Sequence, residues 1–258
     1  MQKEENKFSA SIIFEGMTSI RAILNSGYGK VSDRKIKEIL FDGERIAKIG
    51  KEIGYLKAIS SEYGFSVTET DEKTISEMSL GTSHGGIIAV CTERTIPCLT
   101  HDTKIEENGF YAMIQGIEDP YNFGYALRSL YACGCCGIIL AKRNWMSAGG
   151  VVARSSAGAS ELFTIYEAEA DDAIEIFKKK GYKTVCADER TENILGECEL
   201  KCPILLIVGG ERRGISRNII DKADLLVKIE YGREFSASLS AASATTMFAY
   251  DIMRQNKK

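Results

Sequence analysis

Six short apolar runs recur between residues 111 and 229: YAMIQGI (111–117), GIILA (137–141), LFTIY (162–166), YKTVCA (182–187), ILLIV (204–208) and LLVKI (225–229). Strands that are apolar along their whole length, without alternation, are those covered on both faces. Between the runs lie segments of helical character. The clearest is EADDAIEIFKKKG (169–181), with acids at its start, lysines at its end and a glycine after, as the helix dipole and a C-cap require. This repeated alternation predicts an α/β fold whose parallel sheet is sandwiched by helices.

The first hundred residues alternate differently. Ile20 to Leu24 has helical character, and KIGKEIGYLKAISSEYG places Ile49, Ile53, Leu56 and Ile59 on one helical face. FSVTET reads as a strand and DEKTISEMS as a short helix capped by Asp71 or Thr70. SHGGIIAVCTE reads as a Gly-Gly turn and a strand. The stretch at 96–109 lacks periodicity and reads as an inter-domain linker, which predicts two domains, 1–104 and 105–258.

The chain of 258 residues contains no apolar run near the ~20 residues that span a bilayer. The polar start MQKEENKFSA has no signal core, so a cytoplasmic protein without membrane contact is expected. A net charge of −3 argues against a generally basic nucleic-acid binder but leaves room for a local basic patch. The eight cysteines lack zinc-site spacing and mostly lie in apolar stretches, which predicts reduced thiols acting as small hydrophobes and no metal.

In doubly wound sheets, ligands bind beyond the carboxyl ends of the strands. Three unusual clusters fall there: DPYNFG (119–124), GGERRG (209–214) and EYGREFSASLS (230–240). Neither GxxxxGK[ST] nor a GxGxxG following a strand is present, so nicotinamide and nucleoside-triphosphate chemistry fit poorly. In the first cluster Asp119-Pro120 favours a turn, Asn122 is a candidate cap, and Gly124 allows a close approach. Leu127, Leu130 and Tyr131 form the expected buried stripe, with Arg128 beside it near the ligand end. On helix pattern alone, Arg128 reads as readily as a surface arginine paired with an acid.

The clusters together resemble a family. DPYNFGYALRSLYACG (119–134) is similar to the first motif of the SpoU (TrmH) class of SPOUT RNA methyltransferases, LIVGGERRGIS (206–216) to the second, and Ile229 with SLSAASATTMFAYDIMRQ (238–255) to the third. RSSAGASELF (154–163) resembles the family's small-residue helix and the glutamate after it. EGMTSIRAIL and SHGGIIA resemble its substrate-binding domain of ribosomal-protein type. The resemblance implies a C-terminal SPOUT domain with a deep trefoil knot and a smaller N-terminal α/β domain that binds RNA. It also implies bound S-adenosylmethionine, a homodimer formed through the C-terminal domain, and methyl transfer to a ribose 2′-hydroxyl of rRNA or tRNA. Arg128, Asn122, Glu211 and Ser238 are then the catalytic candidates, with Asn122 positioning Arg128. Gly209, Ile229, Leu239 and Ser240 are the cofactor contacts.

The third motif departs from the family. Ser240 stands where asparagine follows Ser-Leu, Ala242 replaces a serine, Ile229-Glu230-Tyr231 replaces Ile-Pro-Met, and the loop to Ser238 is about one residue longer. The alternative reading is therefore a catalytically weak RNA-binding relative. A small-molecule α/β enzyme is a further rival, supported only by the acidic balance. Expected RNA contacts are Lys142, Arg143, Arg154, Arg212, Arg213 and Arg217, with a second patch of Lys30, Arg34, Lys35 and Lys37. His84 reads as a turn histidine. Trp145 could stack on a base or serve as a domain or dimer contact.

Overall fold

The computed structural model describes residues 12–26, 31–79, 84–141, 149–210 and 214–257. The chain forms two compact units, neither continuous in sequence: Met1–Thr95 with Met146–Leu162, and Ile96–Trp145 with Phe163–Lys258.

The first unit is built on a four-stranded sheet ordered β1 (Ile13–Glu15), β4 (Ile87–Cys91), β2 (Ile36–Asp42), β3 (Ser66–Thr70), antiparallel except for β2 against β3. Its helices are α1 (Gly16–Asn25), α2 (Ile46–Tyr63) and α3 (Glu72–Met78), joined by Gly149–Ser155 and Ala159–Leu162, α5 and α6 in chain order. Ile53 and Leu56 of α2 are buried, with Ile49 and Ile59 packed against the same cluster, as the periodicity requires. Asp71 is the cap of α3, its carboxylate accepting from Thr74 N at 2.7 Å. His84 is buried: its Nδ1 accepts from Gly86 N at 3.1 Å, leaving the Nε2 proton for Ser76 Oγ. It closes the Gly85-Gly86 turn, where both glycines have positive φ.

α5 and α6 are held in this unit by buried charge. Glu161 and Arg34 are both fully buried, with Arg34 Nε 3.1 Å from the carboxylate. The Arg94 guanidinium lies 4.0 Å from the same oxygen and donates to Ser160 O. Arg34 also stacks over the Phe14 ring at 4.4 Å and donates to Thr92 O. Its place in the expected basic patch is therefore corrected: apolar β-strand neighbours and a buried carboxylate enclose it.

The second unit is a six-stranded, wholly parallel sheet, so the chain is an α/β protein. The order is β10 (Leu225–Val227), β8 (Lys183–Ala187), β9 (Ile204–Val208), β5 (Phe110–Ile114), β6 (Gly137–Leu140), β7 (Thr164–Glu167). All five residues of β5 and of β9 are buried, because they pair centrally and helices cover both faces. α4 (Pro120–Ala132), α7 (Ala170–Lys179), α8 (Arg217–Lys222) and α9 (Ala241–Asn256) complete it. Residues 96–99 are not free-running: Leu99 N donates to Glu167 O, and Glu167 N to Pro97 O, extending the sheet beside β7. Strands β5 and β10 end earlier than their apolar runs. Gly116 turns at φ +69 after β5, and Lys228 N is claimed by Asn193 O after β10.

Candidate active site

Strand order reverses at β5, from which β6 and β7 run one way while β9, β8 and β10 lie the other. The loops after β5 and β9 therefore meet at a topological switch point. They meet closely: a methyl group on Gly210 would overlap the Gly116 carbonyl, so only glycine fits. Gly214 N donates to Gly210 O at 3.0 Å, folding the second-motif loop back on itself. A side chain on Gly209 would strike Gly214 and Ile215 backbone. The tightness at Gly209 is thus internal to its own loop, and Gly210 and Gly214 are the glycines that face the cavity beside it.

That cavity has a volume of about 750 Å³, within the range of ligand sites. Its buried floor is Val227 of β10 and Phe248 of α9. Ile229, Ser238 and Leu239 of the third motif line it, as do Asp188 and Arg190 from the end of β8. Arg190 forks onto Asp188 with two 2.8 Å hydrogen bonds. The guanidinium holds the Asp188 carboxyl below its ordinary range, and a backbone hydrogen bond from Arg190 adds to it. The described lining carries three acids, Asp188, Glu189 and Glu230, against two bases, Arg190 and Lys228. Sequence reasoning missed Asp188 and Arg190. Their position directly after a strand was the available signal.

Ser240 is the N-cap of α9, its hydroxyl accepting from Ser243 N at 3.1 Å, and the helix begins at Ala241. Asparagine and serine are both strong N-caps, so the departure at 240 keeps the helix start. Ser238 and Leu239 precede the cap outside the helix and line the cavity.

The α4 mouth is also assigned differently. Asp119 is the cap, its two carboxylate oxygens accepting from Tyr121 N and Asn122 N at 3.2 Å, with Pro120 in the first helical position. Asn122 is instead three residues inside. Phe123, Gly124, Ala126, Leu127 and Leu130 are buried, whereas Tyr131 is 44% exposed with its ring edge against Phe163. Arg128 lies eight residues past Pro120, roughly 12 Å along the axis at 1.5 Å per residue, and not at the ligand end itself. It is exposed and makes no ion pair among the described residues. It shares an outer stripe with Tyr121 and Tyr125, while Thr246 Oγ1 to Ser129 Oγ at 2.7 Å ties α4 to α9.

Of the expected RNA contacts, Lys35, Lys37 and Arg217 are exposed. Arg154 is engaged with Glu15 at 3.0 Å. Glu211, Arg212, Arg213, Lys30, Lys142, Arg143 and Trp145 lie outside the described residues. Among the described residues no group of three His, Cys, Asp or Glu side chains could hold a metal ion, and no helix is long and apolar enough to cross a membrane.

The structure is thus an α/β protein whose parallel sheet has a ligand-sized cavity at its carboxyl edge, walled by the loop after β9 and the long loop before α9. The sequence pattern of the SpoU rRNA Methylase family matches residues 109–250, more than half of the chain, and the chain belongs to that family. It is 28% identical over 254 residues to the 23S rRNA (guanosine-2′-O-)-methyltransferase RlmB of Shewanella oneidensis, covering 95% of this chain and 98% of that one. Its fold matches the AdoMet-bound rRNA methyltransferase of Sinorhizobium meliloti with a TM-score of 0.80 at 22% identity, over 98% of this chain and 90% of that one. It also matches the SpoU methyltransferase AviRb of Streptomyces viridochromogenes in complex with AdoMet, with a TM-score of 0.78 at 20% identity, over 99% and 94% of the two chains.

Proposed function

We propose that this chain transfers a methyl group from S-adenosylmethionine to a ribose 2′-hydroxyl of rRNA or tRNA. The observation that carries the reading is the joint lining of one cavity by the second and third family motifs, through Gly210, Gly214, Ile229, Ser238 and Leu239. The cavity suits the cofactor chemically. An apolar floor at Val227 and Phe248 accepts an adenine face, and an excess of acids in the described lining favours a ligand with one net positive charge. Ile229, Leu239 and Ser238 would hold it with Gly210, which presents bare backbone. Ser240 acts on that contact through the helix it caps. When bound, the cofactor supplies a methyl group on a sulfonium sulfur.

Arg128 is the catalytic candidate. Its guanidinium stays protonated and cannot serve as a base. It stabilises the alkoxide that develops at the 2′-oxygen or clamps the neighbouring phosphate so that the hydroxyl is aligned, and the hydroxyl proton leaves to phosphate or water. Asn122, Glu211 and Ser238 are placed in the same machinery by the motif resemblance.

We read the second unit, Ile96–Trp145 with Phe163–Lys258, as the knotted, cofactor-binding domain. Strand order supports the knot: β9 enters between β5 and β8, and α9 returns to pack on α4. The homodimer is supported by large exposed hydrophobic side chains on those same two helices, Tyr121 and Tyr125 on α4 and Met247 and Tyr250 on α9. Arg128 shares the outer stripe of α4 with Tyr121 and Tyr125, so a second copy seated on that stripe would bring the arginines to a shared seam. The N-terminal unit is read as the RNA-binding domain, with Lys35 and Lys37 exposed on it. The test is to incubate the protein with methyl-labelled cofactor and total cellular RNA, then digest the RNA to nucleosides. Label in 2′-O-methylnucleosides is expected. RNA binding with no incorporation would leave the weak RNA-binding relative as the correct reading.

A further inference from the structure

The loop from Ile229 to Ser240 carries two aromatic rings that packing does not account for. Tyr231 is 39% exposed and Phe235 61%, their ring centroids 6.1 Å apart and tilted by 59°. Both line the cavity that holds Ile229 and Leu239. They stand at its rim: residues 230–238 are all exposed, whereas the floor at Val227 and Phe248 is closed. Tyr231 is fixed in place, because its hydroxyl accepts from Leu239 N at 3.1 Å across the loop. Phe235 rests on that anchored ring and keeps most of its own surface open to solvent.

We propose that Tyr231 and Phe235 form a stacking platform for an unstacked nucleobase of the RNA strand, next to the cofactor cavity. An anchored ring supporting a solvent-facing ring is a low-entropy surface with an apolar face, which is what a splayed base requires. On this proposal a small ligand sits on the floor at Val227 and Phe248, and the outer face of Phe235 is left to a strand arriving from solvent. The described lining has more acids than bases, which disfavours a phosphate there and leaves the apolar ring face as the contact for a neutral base. The platform rests on the methyltransferase reading above for its place beside a reacting nucleotide, and its own test is one of binding.

Phe235→Ala, Phe235→Trp and the unaltered full chain are compared for binding a fluorescent single-stranded RNA dodecamer and, separately, S-adenosylhomocysteine. Losing a base stack weakens binding by roughly 5- to 150-fold, and stacking survives added salt where phosphate contacts fade. The expected result is a loss of at least about fivefold for Phe235→Ala that persists at raised salt, near-full affinity for Phe235→Trp, and a clearly smaller loss of cofactor-product affinity. An unchanged RNA affinity overturns the platform, as does failure of the unaltered protein to bind the dodecamer. Parallel loss of both ligands overturns it too, since that is the mark of a collapsed loop. A protein that binds the dodecamer through Phe235 but labels no RNA would instead overturn the methyltransferase reading and leave the platform standing.

Discussion

Replacing Glu161 by glutamine tests how α5 and α6 are fastened to the first unit. Two fully buried or nearly buried guanidiniums, Arg34 and Arg94, share this one carboxylate at 3.1 and 4.0 Å. Glutamine keeps the shape and one carbonyl acceptor for Arg34 Nε, but removes the charge and turns an N–H donor toward other donors. At an effective dielectric of about 20, a unit pair 4 Å apart is worth ~4 kcal/mol. Removing one partner of a buried pair costs about 3–5 kcal/mol, because the surviving charge stays desolvated. The expected loss is therefore ~3–5 kcal/mol, read as a lowered midpoint in urea denaturation of the full chain followed by circular dichroism. Arg34→Met should cost less: it removes one of two like charges, and Arg94 remains to accompany the carboxylate. A Glu161→Gln loss below ~1 kcal/mol, or an Arg34→Met loss as large as that of Glu161→Gln, would refute the argument that the carboxylate neutralises both arginines.

Other outcomes follow from the same structure. Arg128→Ala should lower methyl transfer by ~10²–10³-fold with cofactor affinity nearly intact; unchanged turnover would end its catalytic assignment. Ser240→Ala should cost ~1 kcal/mol in thermal unfolding and Ser240→Asn almost nothing, because only the cap is at stake. Asp188 has a lowered folded pKa, so its pairing with Arg190 stabilises above the ordinary carboxylate range and is lost as pH falls through the folded value. Asp188→Asn should accordingly flatten the acid limb of the stability curve, and an unaltered limb would remove that contribution. Burial pushes the thiols of Cys91 and Cys186 up to about 12 and that of Cys135 higher still. A thiol reagent should therefore modify exposed Cys98 quickly and those three only on unfolding, measured by peptide mass mapping.

Much of the fold was legible from residue pattern alone. The apolar runs of the second unit all proved to contain parallel strands, because burial on both faces leaves no room for polar alternation. The Asp71 cap of α3 and the acid-to-lysine polarity of α7 were equally plain, since they arise from contacts within one helical turn. What failed was local geometry that depends on a choice among neighbours. Asp119 and Asn122 both cap well, and only the path of the chain past Ile117 selects Asp119. Likewise Ser240 lies inside the third motif yet is the N-cap of α9, while Ser238 and Leu239 before it line the cavity.

The sequence by itself determined the class of sheet, the family and the three loops that matter, because these depend on periodicity and on short motifs. Only the tertiary structure decided that Arg34, charged and lying in a basic stretch, is fully buried against a carboxylate 127 positions away. It also decided that Gly210 is obligatory where the loops after β5 and β9 touch, and that Asp188 and Arg190 join the third motif at one cavity. The physical reason is common to all three. Burial, steric fit and ion pairing depend on distance in space, and in both units elements far apart in the chain are brought together by a pairing of which their separation in sequence carries no record.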